Sequence, residues 1–186
     1  MKICIDPGHG GDQPGAAYGG RLEKDAALQI ALKLARKLKE IGYDVVLTRD
    51  DDAAVSLRKR CDISNAAGAD VFLSIHMNAS RSHEAHGAET WRWAKSECKL
   101  AENVQRGLVA ATGARDRGVK STMSYYVLRH THAVALVVEC GFISHDNERE
   151  SLFEDDYQEK IAAGIARGLQ EWAENDGKTI DRDRDI

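Results

Sequence analysis

The chain has 186 residues, 42% of them hydrophobic and 30% charged, with a formal net charge of −4. That is the size of one globular domain able to bury its own core, and Lys and Arg interspersed with acids leave no basic face for nucleic acid. No apolar run approaches the roughly 18 residues needed to span a bilayer, so membrane insertion is not expected either.

The residues KICID at 2–6 read as a first strand, followed by PGHGG, in which His9 stands between two glycines. An imidazole there can hold a phosphate, hold a metal or fill a turn. The phosphate reading is poor, because the stretch lacks both GxGxxG and GxxxxGK[ST]. From Glu23 to Ile41 the spacing predicts a helix, with apolar residues at 27, 30, 31, 34, 38 and 41. Its ends agree: Glu23 and Asp25 lie in the first turn, Lys37 and Lys39 near the last, and Gly42 follows as a stop.

YDVVLTR at 43–49 reads as a second strand, and a helix from about Val55 to Ala67 leads into DVFLSIH at 70–76, a strand apolar enough to be covered on both faces. GAETWRW at 87–93 is a further strand, and 97–112 a helix. SYYVLR at 124–129 and AVALVVE at 133–139 read as two more strands, with a last helix from Tyr157 to Ala173. Strands alternating with helices predict parallel pairing, hence a three-layer α/β domain over 1–174, about six strands with helices on both faces. Residues 175–186 alternate Asp with Arg and read as a charged tail or linker. The cysteines at 4, 61, 98 and 140 form no CxxC pair and are expected as mostly buried thiols.

In such folds ligands bind at the carboxyl ends of the strands. The first strand delivers His9 there, DVFLSIH ends on His76, and AVALVVE ends on Glu139. Glu23, opening the helix that returns from the first strand, starts at the same edge. Each has a bland reading alone: a hydrogen-bonded loop histidine, or a carboxylate favoured by a helix dipole. Glu139 resists one, because an unpaired charge closing the run VALVV is costly. Together, two histidines and a carboxylate are a known catalytic zinc set with one position left open, and a second carboxylate beside them can act as the base.

Other histidines compete less well. His130 and His132 share a strand face as HxH, but precede AVALVVE and so fall toward its amino end. His83, His86 and His145 lie in polar loops. Cys140 adjoins Glu139, but alternation points it to the opposite face, where packing explains it.

The chain also resembles the zinc-dependent N-acetylmuramoyl-L-alanine amidases of the amidase 3 type. The motifs are IDPGHGG at 5–11 with its preceding strand, EKD at 23–25, TRDDD at 48–52, SIHMNA at 74–79, GAET at 87–90, DRGVK at 116–120, VLR at 127–129 and VECGFIS at 138–144. The resemblance implies a mixed six-stranded sheet between helices and cleavage of the amide joining the lactyl group of N-acetylmuramic acid to L-alanine in peptidoglycan. It implies one Zn2+ per chain held by His9, Glu23 and His76, with Glu139 as the catalytic carboxylate and Asn78 shaping the site. The alternatives are a peptidoglycan-binding domain of the same fold without catalysis, or a zinc peptidase cutting elsewhere in the stem peptide.

The chain departs from many relatives in having Ala133-Val134 where they have Met-Pro, and His145 where they often have Asn. It has no long insertion that could act as a blocking helix, so a site open without an activator is expected. A monomer acting on the bacterial cell wall is expected, reached by phage-type release, mother-cell lysis or a signal trimmed from the sequence.

Overall fold

The computed structural model describes residues 1–96 and 98–175. In chain order the elements are β1 (Lys2–Pro7), β2 (Ala17–Tyr18), β3 (Arg21–Leu22), α1 (Glu23–Ile41), β4 (Asp44–Leu47), α2 (Leu57–Ala67) and β5 (Val71–Asn78). Then follow β6 (Ala88–Trp93), α3 (Lys99–Thr112), β7 (Asp116–Thr122), α4 (Tyr126–His130), β8 (Val134–Phe142), α5 (Asp146–Leu152) and α6 (Asp155–Asn175). Six strands form one sheet in the order β4-β1-β5-β8-β6-β7, while β2 and β3 form a small hairpin. Every neighbour in the large sheet is parallel except β6 with β8, so the sheet is mixed and mostly parallel, as expected.

Alternation along the strands divides the core. Ile3, Ile5, Leu73, Ile75, Leu136 and Val138 face the layer of α1, α3 and α6. Cys4, Phe72, Ala135 and Val137 face α2 and α4, with Cys61 and Leu128. Each fully buried Leu or Ile contributes on the order of 1.5–3 kcal/mol by leaving water. The α2/α4 layer is short, and toward the carboxyl ends of β1, β5 and β8 the same sheet face carries Asp6, Ser74, His76 and Glu139 in place of apolar residues, joined by Glu89 from the amino end of antiparallel β6. A polar set on one face of a sheet is where a site can be built without disturbing the main core.

Two expectations need correction. SYYVLR is not a strand: Tyr126–His130 form the helical turn α4. Val127 and Leu128 are adjacent and both buried against the Cys61 cluster, which a strand, pointing successive side chains to opposite faces, cannot do against a single layer. The sixth strand is instead β7, whose sequence DRGVKST lacks an apolar pattern because it lies at the sheet edge. Gly118, with φ of 75°, sits where the β6–β7 register shifts. Helix α5 was also not anticipated. His145 caps it by accepting from the Glu148 N–H at 3.3 Å, and the Glu148 carboxylate accepts from the N–H groups of Gly87 and Phe142 at 2.7 Å each, tying the ends of β6 and β8 together.

Of the expected tail, Asn175 closes α6 and residues 176–186 lie outside the described residues, as does the first residue of the helix read at 97–112. No helix is long and apolar enough to cross a membrane among the described residues.

Candidate active site

His9 leaves the end of β1 with a φ of 59°, a left-handed conformation uncommon for a residue with a Cβ. Two arginines hold it there. Arg49 donates to the carbonyls of Pro7 at 3.0 Å and Gly8 at 2.7 Å, and Arg60 to those of Pro7 and His9, each at 2.6 Å. Arg60 also pairs with buried Asp6 at 2.6 Å, whose carboxylate accepts further from Thr48 at 2.5 Å and Ser74 at 2.6 Å. The turn that presents the imidazole is thus anchored by charge-assisted bonds beneath the sheet edge. An Arg60→Met variant is expected to lose about 3–5 kcal/mol of stability, measured by urea unfolding, because it leaves Asp6 buried without its cation.

Glu23, the first residue of α1, does not cap its helix; its side chain turns inward and is buried. One oxygen lies 2.8 Å from His76 Nδ1 and accepts from the Met77 N–H at 3.1 Å. The other lies 3.1 Å from His9 Nε2 and accepts from the Ala16 N–H at 2.9 Å. The two imidazoles stand edge to face with centroids 5.0 Å apart. Burial pushes the Glu23 carboxyl up, but the contacts from His76 and His9 outweigh it and hold it well below the usual carboxylate range. Burial pushes the His76 imidazole down, and Glu23 more than reverses this.

Ligand atoms from His9, Glu23 and His76 all lie within 4.8 Å of one another. Two imidazole nitrogens and a carboxylate oxygen converging from a loop, a helix and a strand, with backbone N–H groups orienting the carboxylate, fit a catalytic zinc set. The side chains of His9 and His76 remain 30% and 22% exposed, so the cluster is reachable. Close approach here requires glycine twice. A Cβ at Gly8 would lie 2.6 Å from His76 Nε2, and one at Gly15 would lie 2.5 Å from Glu23 Oε2 and 2.6 Å from the His9 ring, at a φ of 70°. A Gly15→Ala variant is expected to lower metal affinity by about 10–100-fold, the range for disturbing groups that orient ligands, as read by competition with a chelating dye.

Glu139 on β8 lies in register with His76 on β5 and, across the antiparallel pair, with Glu89 on β6. All three therefore share one face. Glu139 is buried, and its Oε2 has no hydrogen-bond partner among the described residues. Burial pushes its carboxyl up to about 7, against the pull of His76 and with the repulsion of Glu23 and Glu89. Glu89 differs in its hydrogen bonding. Asn78 and Trp91 donate to one of its oxygens at 2.8 and 3.0 Å, and Arg117 donates to the other at 2.8 Å. Arg117 in turn lies over the Phe142 ring, 4.7 Å from its centroid. Beside them Tyr125 stacks at a tilt on Trp91, centroids 5.4 Å apart, and burial with the facing Glu139 and Glu89 raises its phenol.

The remaining histidines stay apart from the cluster. His130 stacks on Tyr126 at the end of α4, and His132 is exposed. His83 lies 3.0 Å from the Ser144 carbonyl, while His86 and His145 approach each other with centroids 5.1 Å apart. Among the described residues none of these joins a group able to hold an ion. Cys140 is fully buried on the opposite face, and burial pushes its thiol far above the ordinary value. Sequence reading had not singled out Gly15, Asp6, Arg49, Arg60, Glu89 or Arg117. The signal was present for Asp6, Arg49, Glu89 and Arg117, which sit inside IDPGHGG, TRDDD, GAET and DRGVK.

The Amidase_3 family, described as N-acetylmuramoyl-L-alanine amidase, matches residues 3–171. Among curated relatives, N-acetylmuramoyl-L-alanine amidase LytC of Bacillus subtilis (strain 168) is 39% identical over 170 residues, covering 89% of this chain and 34% of LytC. N-acetylmuramoyl-L-alanine amidase CwlM of Bacillus licheniformis is 38% identical over 178 residues, covering 91% of this chain and 67% of CwlM. The chain thus spans about a third of the length of LytC. The crystal structure of N-acetylmuramoyl-L-alanine amidase from Clostridium difficile 630 superposes with a TM-score of 0.91 at 38% identity, over 95% of this chain and 98% of that one. With its sheet order, its His-Glu-His cluster and a family match over nearly its whole described length, the chain belongs to the Amidase_3 family of N-acetylmuramoyl-L-alanine amidases.

Proposed function

We propose that the protein hydrolyses the amide between the lactyl group of N-acetylmuramic acid and L-alanine in peptidoglycan, at the bacterial cell wall, as a monomer with one Zn2+ per chain. The observation that carries this reading is the convergence of His9, Glu23 and His76 beside a buried carboxylate, Glu139, one of whose oxygens has no hydrogen-bond partner among the described residues. His9, Glu23 and His76 are the residues that would hold the ion, which when bound supplies a Lewis acid able to polarise a carbonyl and make water acidic. Glu139 accepts the proton from the attacking water and returns it to the departing alanine nitrogen. A carboxyl near 7 suits both halves of that task, since it is neither too weak a base nor too weak an acid at neutral pH. Glu89, saturated by Asn78, Trp91 and Arg117, stays out of proton transfer and holds the neighbouring strand end in place.

The test is release of new amino-terminal alanine from purified sacculi incubated with the protein and Zn2+, and no second protein. Alanine is expected, and its release should stop with a chelator and return with Zn2+. A different amino terminus would assign a peptidase, and wall binding without any new terminus would assign a non-catalytic domain.

A further inference from the structure

The site has two unlike flanks on either side of Glu139 and the His-Glu-His cluster. On the β1/β5 side a cavity of about 230 Å³ opens off His9 and His76. Its wall is aliphatic, from Val55, Leu57 and Val127, and exposed Gln13 also lines it. The polar groups at its floor, Asp6, Arg60 and Ser74, are bonded to one another. Leu57 is 55% exposed, an apolar side chain left at the surface next to the site. Beyond the two imidazoles of the cluster, the residues lining this cavity offer aliphatic contact and the Gln13 amide, and none of them is Trp, Tyr or Phe.

The β6 side differs. Trp91 lies two residues along the strand from Glu89 and so on the same face, in register with Val137, and its indole N–H is fixed on the Glu89 carboxylate. Tyr125 stands against it, the two ring centroids 5.4 Å apart. Both rings are only partly buried. A fixed pair of aromatic rings, packed on the α2/α4 cluster with part of their surface left open, is a platform for a flat, partly apolar face, which a pyranose ring presents and a short aliphatic peptide does not.

We propose that substrate lies across the site in one direction, with the alanine end of the stem peptide in the Val55–Leu57–Val127 cavity and the N-acetylmuramoyl sugar on the Trp91–Tyr125 flank. This rests on the amidase reading above and assigns which half of the substrate each flank takes. The scissile amide then spans the gap between the cluster and Glu139. Val55 and Leu57 select a small side chain after that amide, on the departing amine half, and Trp91 and Tyr125 hold the muramoyl half that carries the attacked carbonyl.

The experiment is direct binding to the zinc-loaded protein by titration calorimetry, with two probes: N-acetylmuramic acid, and a stem peptide beginning with L-alanine. Val55→Phe narrows the cavity and is expected to weaken the peptide about tenfold or more while leaving the sugar within twofold, a size effect of the kind one or two methylenes produce in an apolar pocket. Tyr125→Leu is expected to weaken the sugar about threefold to tenfold and leave the peptide unchanged, the loss of one aromatic contact. Both replaced side chains are only partly buried, and Trp91→Phe, which keeps a ring in place, supplies a second variant on the sugar flank if Tyr125→Leu unfolds. The crossed pattern supports the assignment. The reverse pattern, or variants that weaken both probes alike, overturns it. Failure of the wild-type protein to release alanine from sacculi would overturn the amidase reading itself, a different result from uncrossed binding by an active enzyme.

Discussion

Glu139→Gln is expected to retain its metal and lose hydrolysis of peptidoglycan by about 10²–10⁴-fold, the usual contribution of a positioned proton acceptor. The amide keeps the shape of the side chain beside His76 and Glu89, and Glu139 is not one of the three groups that converge on the ion site. It removes only the ability to take a proton and pass it on. Stability distinguishes this from a folding defect. A carboxyl raised from about 4.5 to about 7 in the fold stabilises the protein only while protonated, so its contribution is complete below the unfolded value and is lost as pH rises through 7. Gln stays neutral throughout. The metal-free variant should therefore melt at or above the wild-type temperature at pH 8, and the two should converge below pH 4. Undiminished alanine release by Glu139→Gln would remove the proposed role, and a lower melting temperature at pH 8 would mean that the buried carboxylate is stabilised by something other than its surroundings here.

His76→Ala is expected to abolish metal retention and, with it, activity. Two ligands from a loop and a helix remain, a set that lacks the third protein ligand of catalytic zinc sites. The structural effect is local and can be read apart from turnover. Glu23 loses the imidazole 2.8 Å from its Oε1 but keeps the N–H groups of Met77 and Ala16. The chain should still fold, while the rise in melting temperature on adding Zn2+, which wild-type protein gains by mass action, should vanish. Metal content after gel filtration gives the second measurement. A His76→Ala protein that carries one tightly held ion per chain would contradict the ligand assignment.

Much of this was legible in residue order. The helix expected over Glu23–Ile41 has those bounds in the fold, because its apolar spacing, first-turn acids and Gly42 all mark the same ends. Strands read at KICID and DVFLSIH appear within one or two residues, since buried parallel strands are nearly continuous apolar runs. SYYVLR misled for a physical reason: aromatic and β-branched residues favour strands, but here the adjacent pair Val127 and Leu128 is held by tertiary packing on α2. The polar edge strand β7 had no burial pattern to reveal it.

The candidate site divides in the same way. The rule that ligands bind at the carboxyl ends of strands sufficed to single out His9, His76 and Glu139 as candidates, because the type of residue closing an apolar run is a local property, and Glu23 joined them as the first residue of the helix starting at that edge. How those groups meet is not local. That Glu23 abandons its helix end to bridge two imidazoles, that Gly15 must lack a Cβ for it to do so, and that Arg60 reaches 51 residues back to hold the His9 carbonyl depend on distances between segments far apart in the chain. The contrast between Glu89, satisfied by three donors, and Glu139, one strand away with an oxygen that meets no donor among the described residues, is likewise invisible in two identical letters. It arises because only the folded sheet determines which carboxylate meets donors and which is buried beside another carboxylate and an imidazole.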